Sequence, residues 1–394
     1  MKKKYKLAVL TSHPIQYQAP LFRKLAQHPE IELMVYFCCD YGIKEEFDPG
    51  FGKKIKWDIP LLDGYKYKFL KNYSLRPRPG FFGLVNPSII KELFSNHYDA
   101  ILVRGYSSVS NWFAFFGAWL SRTPVFLHGD SNLLKRPRLW AHFVKRLLFP
   151  LFFKGISAFL SVGASNKEYY KYFGAPDKKI FLTPYSIDND FFQKESEKYK
   201  GRKEEIRKKF NLPLKIPIIL YVGKIYKGKG AFDLLKAFEK ISGSLESALV
   251  FIGEGEEKIY LENYVKEKNI KNVYFQGFKN QSELPAFYAV SDVFVFPSKI
   301  DSWGLVVNEA MACGLPVIAT GFVGASHDLI KQGFNGFVYR AGDIEELKLC
   351  IEKTIVDPAL RNKMSENSLK IISSWNYDSC VEGILRALEY VSKQ

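Results

Sequence analysis

Asp301 and Glu309 stand eight positions apart in the stretch Val293 to Ala319, a loop acid and a helix acid around one turn. Val293-Phe294-Val295-Phe296 is a short apolar run of the kind that forms a buried parallel strand, ended by Pro297-Ser298. Ser302-Trp303-Gly304 then opens a helix that runs to about Cys313 and is closed by Gly314. The first amides of such a helix have no intrahelical partner and carry the positive end of its dipole, and Gly304 keeps side chains out of their way. A turn of this kind receives a phosphate, and two carboxylates beside it accept hydrogen bonds from hydroxyls. Taken alone, the stretch reads more simply as an ordinary βαβ unit with two solvated acids.

Positive charge comes from a second run, Gly223-Lys224-Ile225-Tyr226-Lys227-Gly228-Lys229-Gly230, between the strand Ile216 to Val222 and a helix from Ala231 to Ile241. Three glycines and three lysines between a strand and a helix suit a diphosphate cradle. The order is not that of a Walker A loop, and no Ser or Thr follows the lysine. A basic surface turn is the alternative. Two more apolar runs, Leu249 to Ile252 and Val273 to Gln276, end in Gly253-Glu254-Gly255 and Gly277. Several glycine-marked strand ends in one doubly wound domain predict a nucleotide-sized cleft. No His/Cys spacing of a metal site is present, and no metal is assigned.

The elements that must position these groups alternate strand and helix along the chain. Leu7 to Leu10 predicts a first strand, which leads through Thr11 to Pro20 into a helix from Leu21 to Gln27. A glycine-rich turn is absent there, and the chain offers His13 and the amides of Gln16 and Gln18 instead. Ile31 to Cys38, Asp99 to Arg104, Pro124 to His128 and Phe159 to Val162 predict further strands. His128 lies at a strand end, the edge where open α/β sheets bind ligands. Asp40 to Pro79, rich in Gly, Pro, Tyr and Lys, reads as a long surface excursion of the kind that often binds. Arg138 to Phe149 predicts an amphipathic helix stopped by Pro150. Leu139, Trp140, Phe143, Val144, Leu147 and Leu148 share one face, and Arg138, His142, Lys145 and Arg146 the other. Either the apolar face packs on the sheet or the helix lies on an anionic membrane.

A chain of 394 residues is too long for one compact core, so two domains are expected. At 47% hydrophobic and 25% charged it is globular. Its five cysteines form no C-x-x-C pair, and an odd count argues against a disulfide framework, as a reducing cytosol would require. The apolar run after Lys6 is too short for a signal peptide, and no window reads as a transmembrane helix. The net charge of +16 is uneven: residues 1–190 hold 28 Lys/Arg against 15 Asp/Glu, and residues 191–394 hold 29 against 26. The basic half is expected to meet something anionic. Nucleic acid lacks any recognition motif beyond that charge.

In order and spacing these motifs resemble glycosyltransferase family 4. The family's G-R-x-x-x-x-K-G turn is similar to Gly223-Lys224 through Lys229-Gly230, and its G-x-G turn to Gly253-Glu254-Gly255. Its V-x-F-x-G strand end is similar to Val273 through Gly277, and its P-S-x-x-E-x7-E motif to Pro297-Ser298 with Asp301 and Glu309. Asn335-Gly336-Phe337, Gly342-Asp343 and Tyr185-Ser186-Ile187-Asp188 resemble its remaining elements.

The resemblance implies an α/β chain of GT-B architecture, two Rossmann-like domains facing across a cleft with a C-terminal helix returning to the first. The implied division is residues 1–190, a linker and lead-in helix over 191–211, a nucleotide-sugar domain over 212–375, and the returning helix over 376–394. It implies a retaining transfer of sugar from a nucleotide-diphosphate donor, UDP- or GDP-linked, with no metal or other cofactor. The acceptor would be a saccharide or a lipid-linked molecule in polysaccharide, lipopolysaccharide or glycolipid synthesis. Lys224 and Lys229 would neutralise the diphosphate, and Glu309 would accept from the ribose. Asp301, paired here with His128 as the candidate catalytic residues, stands where the family's first glutamate touches the donor sugar. The amides near Trp303, Gly304 and Leu305 would face the phosphates, Gly223 and Gly253 would belong to the donor-binding site, and Phe278 stands where family members contact the base through the backbone. His13 and Gln16 would lie on the acceptor side. Three positions depart from the family: Asp301 replaces Glu, Lys224 replaces Arg, and Ser12 to Tyr17 replaces a Gly-Gly loop. Placement on the inner face of the membrane of a cytoplasmic protein is expected from the basic half. A non-catalytic nucleotide-sugar-binding protein on the same fold is the alternative, and an epimerase or phosphorylase shares the architecture.

Overall fold

The computed structural model describes residues 4–48, 50–134 and 139–394, with side chains for all of these except residues 139–142. In chain order the first half supplies β1 (Tyr5–Thr11), β2 (Ile31–Phe37), β3 (Glu46–Asp48), β4 (Lys53–Ile55), β5 (Tyr67–Phe69), β6 (Ala100–Arg104), β7 (Val125–Gly129), β8 (Ala158–Ser161) and β9 (Ile180–Leu182). The second half supplies β10 (Ile218–Val222), β11 (Ala248–Ile252), β12 (Val273–Phe275), β13 (Val293–Phe296), β14 (Val317–Thr320) and β15 (Gly336–Tyr339). Seven strands form one sheet in the order β5-β2-β1-β6-β7-β8-β9, and six form another in the order β12-β11-β10-β13-β14-β15. Neighbours run parallel, as in β1 against β6 and β10 against β13. Continuous apolar runs such as Ile218 to Val222 suit this, because a strand covered by helices on both faces has no side for polar residues.

Two compact units result. The first holds the chain to Glu46, Ile59–Tyr185 and Tyr377–Gln394; the second holds Phe47–Asp58 and Ser186–Asn376. The short segment Phe47–Asp58 thus leaves the excursion expected over residues 40–79 and joins the second unit as the β3–β4 hairpin with its tail. Residues 191–211, expected to be a linker and lead-in, are packed structure. The Asn189–Lys200 and Lys203–Lys209 helices bury Phe192, Ser196, Ile206 and Arg207. Arg207 is held by the Val290 carbonyl (2.9 and 2.7 Å) and by Asp292 Oδ2 (2.7 Å), which satisfy a charge that burial would otherwise penalise.

Pro150 does not stop its helix, which runs Leu139–Lys154 with the proline inside it. A proline costs the bond to the carbonyl four residues back, here that of Arg146. Both Arg146 and Pro150 are exposed, so solvent can take that carbonyl. The helix buries Phe149, Phe152 and Phe153 in the core. Its expected apolar face is left in solvent, with Phe143 69% and Leu147 64% exposed. Arg138, with Lys135 and Arg136, lies outside the described residues.

The last helix, Tyr377–Ser392, completes the first unit. Val381, Ile384, Ala387 and Leu388 enter the cluster that covers one face of the sheet with Leu7, Val9 and Leu102. The Tyr377 hydroxyl donates to the Tyr17 carbonyl (3.0 Å). Ile384→Ala should therefore lower unfolding free energy by about 2–4 kcal/mol, measured by denaturant titration. A loss under about 1 kcal/mol would mean that this helix does not complete the core.

Candidate functional site

Each sheet has one place where the strand order reverses direction, and open α/β sheets bind ligands at the carboxyl ends of the strands there. In the second unit the reversal lies between β10 and β13. The Gly223–Gly230 turn follows β10, and the Pro297–Gly304 loop follows β13, so the two runs singled out by their residue types meet at one edge. The Lys299 amide donates to the Gly228 carbonyl (2.9 Å), and Ser298 Oγ donates to the same carbonyl (3.3 Å). Gly304 caps the Leu305–Ala312 helix with φ +92°, a left-handed conformation that side chains resist. A Cβ at Gly304 would also sit 2.9 Å from Val323 Cγ1. The helix therefore starts at Leu305 and not at Ser302, and its first amides face the turn without intrahelical carbonyls. The Trp303 amide is taken by Asp301 Oδ1 (3.3 Å), and its indole donates to Asn308 Oδ1 (2.9 Å) and stacks on Trp375.

Lys229 is mostly buried. Its ammonium pairs with the Asp301 carboxylate and lies 5.4 Å from the Phe296 ring centre. The structure thus joins the diphosphate lysine and the candidate sugar-side acid into one ion pair. Lys224 Nζ is paired as well, to Asp48 Oδ1 at 2.9 Å. Glu309 is 0% exposed, and its Oε2 accepts from the Tyr288 hydroxyl (2.8 Å). Phe278 follows Gly277, but its ring is covered by Phe51, Trp57 and the Lys53 ammonium. Gly223 and Gly253 stitch the strand ends: the Gly223 amide donates to Ile252 (3.0 Å), and the Gly253 amide to Gly277 (2.8 Å).

In the first unit the reversal lies between β1 and β6. The loop after β1 carries His13 and Gln16, and β6 ends in Arg104, a residue that sequence inspection passed over. Leu10 pairs with Val103 and Arg104 with His128, so Arg104 sits between the β1 loop and the β7 end. With the Gln18 amide oriented to donate to Thr11 Oγ1 (3.0 Å), its oxygen accepts from Arg104 Nε (3.1 Å) and Nη2 (3.3 Å). The only signal for Arg104 in the sequence was a lone cation closing an apolar strand. The Gln18 amide, expected to be offered to a ligand, instead donates to the Ile15 carbonyl (2.9 Å) in a turn. Gln16 is buried. His13 Nδ1 lies 2.9 Å from Ser12 Oγ, and burial pushes its pKa down to about 4. His128 is 5% exposed, its Nδ1 has no hydrogen-bond partner, and burial first and the Arg104 charge second hold its pKa well below the usual imidazole value. Both rings are therefore neutral near pH 7, and His128 can serve only as an uncharged donor or acceptor.

Among the described residues no three His, Cys, Asp or Glu side chains gather as a metal site. The run Asp188-Asn189-Asp190 has D-x-D spacing, but Asp188 Oδ1 caps a helix by accepting from the Phe191 amide (3.0 Å).

With this geometry in view, residues 202–371 match the family model described as glycosyl transferases group 1. An uncharacterized glycosyltransferase of Methanocaldococcus jannaschii is 30% identical over 44% of this chain and 48% of that protein. The capsular polysaccharide biosynthesis glycosyltransferase CapM of Staphylococcus aureus is 31% identical over 51% of this chain and 52% of that protein. The chain spans about half the length of the curated relatives it matches. A glycosyltransferase from Rickettsia africae ESF-5 superposes with a TM-score of 0.76 at 16% identity, covering 99% of both chains. Anabaena HepE in complex with UDP and glucose does so with a TM-score of 0.72 at 17% identity, covering 99% of this chain and 100% of that one. These likenesses show the fold, two Rossmann-like domains of the GT-B architecture.

The two neutral histidines give a stability prediction. A group whose pKa falls on folding stabilises the native state above its unfolded pKa, about 6.5 for His, and that contribution fades as pH falls toward the folded value. Between about pH 6.5 and 4 each ring should contribute a slope of up to about 1.4 kcal/mol per pH unit. Urea unfolding across this range should show stability dropping with acid, and His13→Asn should flatten the drop. An unchanged slope in that variant would show that His13 is not held neutral.

Proposed function

We propose that the chain is a retaining glycosyltransferase that moves a sugar from a nucleotide-diphosphate donor to a saccharide or lipid-linked acceptor, without a metal. One observation carries this. At the strand reversal of the second unit, two lysines of a single turn, each held by one carboxylate, and the start of the Leu305–Ala312 helix lie at one edge, a set of donors that a diphosphate displacing those acids could take. The family match over the same unit and the UDP named for Anabaena HepE support the donor class.

In the chemistry this implies, the bond from the anomeric carbon to the diphosphate oxygen breaks. The acceptor oxygen bonds to that carbon on the same face, and its proton passes to the departing diphosphate. The work of the chain is to bind the charge that grows on that leaving group. Lys229 supplies it from a partly desolvated position, where an ammonium acts more strongly than in water. Asp301 positions Lys229 through their ion pair and lies beside the sugar. Glu309, a buried partner of Tyr288, reaches a ribose only if the Tyr288 contact rearranges.

Acceptor encounter would occur at an anionic membrane surface. The support is a group of large apolar side chains left in solvent on two helices that touch each other. Phe143, Leu147, Leu148 and Leu151 of the Leu139–Lys154 helix are exposed, and so are Trp112, Phe116, Trp119 and Leu120 of the Val109–Leu120 helix. The two helices are in contact, since the Trp119 indole donates to the Gly155 carbonyl (2.9 Å) and Trp112 packs on Phe152. Arg146 of the same helix is exposed as well. No helix among the described residues is long and apolar enough to cross a membrane, so attachment would be peripheral on the cytoplasmic face.

Titration calorimetry with UDP and GDP should show binding of one of them, undiminished by EDTA. Lys229→Gln should weaken it about 10- to 100-fold, the size of a lost charge-assisted contact. Binding abolished by EDTA would overturn the metal-free donor site. For the membrane, the protein should sediment with phosphatidylglycerol vesicles at low salt. A Phe143→Ser, Leu147→Ser, Leu151→Ser variant should stay in the supernatant while binding the nucleotide as before. Sedimentation that survives these changes would assign the surface to another partner.

A further inference from the structure

The segment Phe47–Asp58 lies early in the chain, yet it belongs to the second unit. It is anchored there at three places. At one end Asp58 accepts from the Ser282 amide (3.2 Å) and hydroxyl, and the Lys56 carbonyl accepts from Asn280 Nδ2 (2.8 Å). In the middle the Phe51 ring meets Phe278 edge to face with centres 4.9 Å apart, Trp57 lies at 6.4 Å, and the Lys53 ammonium stands 4.6 Å over the same ring. At the other end the Asp48 carboxylate receives Lys224 Nζ at 2.9 and 3.2 Å. One Asp48 oxygen also accepts from the amides of Gly50 (2.7 Å) and Phe51 (3.2 Å), so backbone and lysine donors converge on it as they would on a phosphate oxygen. Lys224 Nζ is further enclosed by the Phe51 ring at 4.6 Å.

The two residues that this segment covers, Lys224 and Phe278, are those assigned above to the donor diphosphate and base. We propose that Phe47–Asp58 is an internal competitor of the donor: Asp48 holds Lys224 as a stand-in for a phosphate oxygen, and nucleotide binding must break that pair and lift the segment. The inference rests on the donor site of the proposed function. One ammonium cannot give its full charge to both a carboxylate and a diphosphate, so whatever holds Asp48 in place weakens the donor. Neutralising Asp48 should then strengthen donor binding, the opposite of what a residue that supports the donor would do.

The test is calorimetry of UDP and GDP on the full chain. Asp48→Asn keeps the side-chain oxygen that caps the turn and removes the charge. It should bind the nucleotide about 5- to 20-fold more tightly than the parent, as expected for release of one charge-assisted contact. The gain should vanish in a Lys224→Gln background and shrink as salt rises. Equal or weaker binding by Asp48→Asn beside a binding parent overturns the competitor and leaves the donor site standing. If neither the parent nor the variant binds a nucleoside diphosphate, the donor site itself fails. Limited trypsin cleavage at Lys53, Lys54 and Lys56 gives an independent readout on the parent protein. UDP or GDP should speed cleavage if the segment is displaced, whereas protection would mean that it closes over the nucleotide and would overturn the proposal.

Discussion

The close approach of backbone at the ends of β10 and β11 is the constraint on which the second unit's site depends. A Cβ at Gly253 would fall 1.8 Å from the Gly223 carbonyl oxygen, so no side chain is possible there. On the other side of β10 the turn passes as close to the loop after β13: a Cβ at Gly230 would fall 2.2 Å from the Pro297 carbonyl oxygen, and the Lys299 amide bonds Gly228. That contact places the Lys229 ammonium against Phe296 and within reach of Asp301. A half-buried ammonium needs a counter-charge, and among the residues around it Asp301 supplies one. The glycines thus do more than make room for a ligand. They set the distance between the two loops, and so decide which acid meets which lysine.

How much of this was legible in the sequence follows from the range of each interaction. The strands were legible, because a parallel strand buried on both faces must be apolar throughout, as Val293 to Phe296 and Ile218 to Val222 are. The turn residues of the second unit were legible for the same local reason. The pairing of Lys229 with Asp301 was not, since it depends on two loops 72 residues apart meeting across a strand reversal. The placement of Phe47–Asp58 was still less so: a stretch rich in Gly, Pro and Lys looks like surface loop wherever it finally packs. Arg104 was missed because one cation at the end of an apolar run has no periodic or motif signal. Pro150 misled because a proline ends a helix only where the lost bond cannot be replaced, and exposure decides that.

The first unit shows how charge and apolar surface divide the labour of one helix. The apolar face of Leu139–Lys154 could either pack on the sheet or stay outside, and the core takes Phe149, Phe152 and Phe153 from its last turns. Sixteen residues with apolar side chains on more than one face cannot bury them all against one sheet. The aromatic surplus is therefore exposed beside that of the Val109–Leu120 helix, in the half of the chain that carries most of the net positive charge. Apolar exposure alone would favour aggregation. Apolar exposure next to strong positive charge is what an anionic interface recognises, since each attraction limits the cost of the other.

Asp301 and Glu309 end in unlike environments, and that difference orders their chemistry. Glu309 sits on the helix interior with no exposure and a tyrosine hydroxyl on its oxygen. Asp301 sits in the loop with its own backbone turn on one oxygen and Lys229 on the other. In the proposed reaction a diphosphate arriving at Lys229 would compete directly for the charge that Asp301 now neutralises. Once the ammonium turns toward the phosphate, the Asp301 carboxylate loses its counter-ion and gains free acceptor capacity at the same moment. A sugar hydroxyl carried on that diphosphate can fill it. The shorter side chain of Asp is consistent with this arrangement, because its carboxylate is already placed by the turn that holds the Trp303 amide. Donor charge and donor sugar would in this way be read by one ion pair, opened by the first and completed by the second.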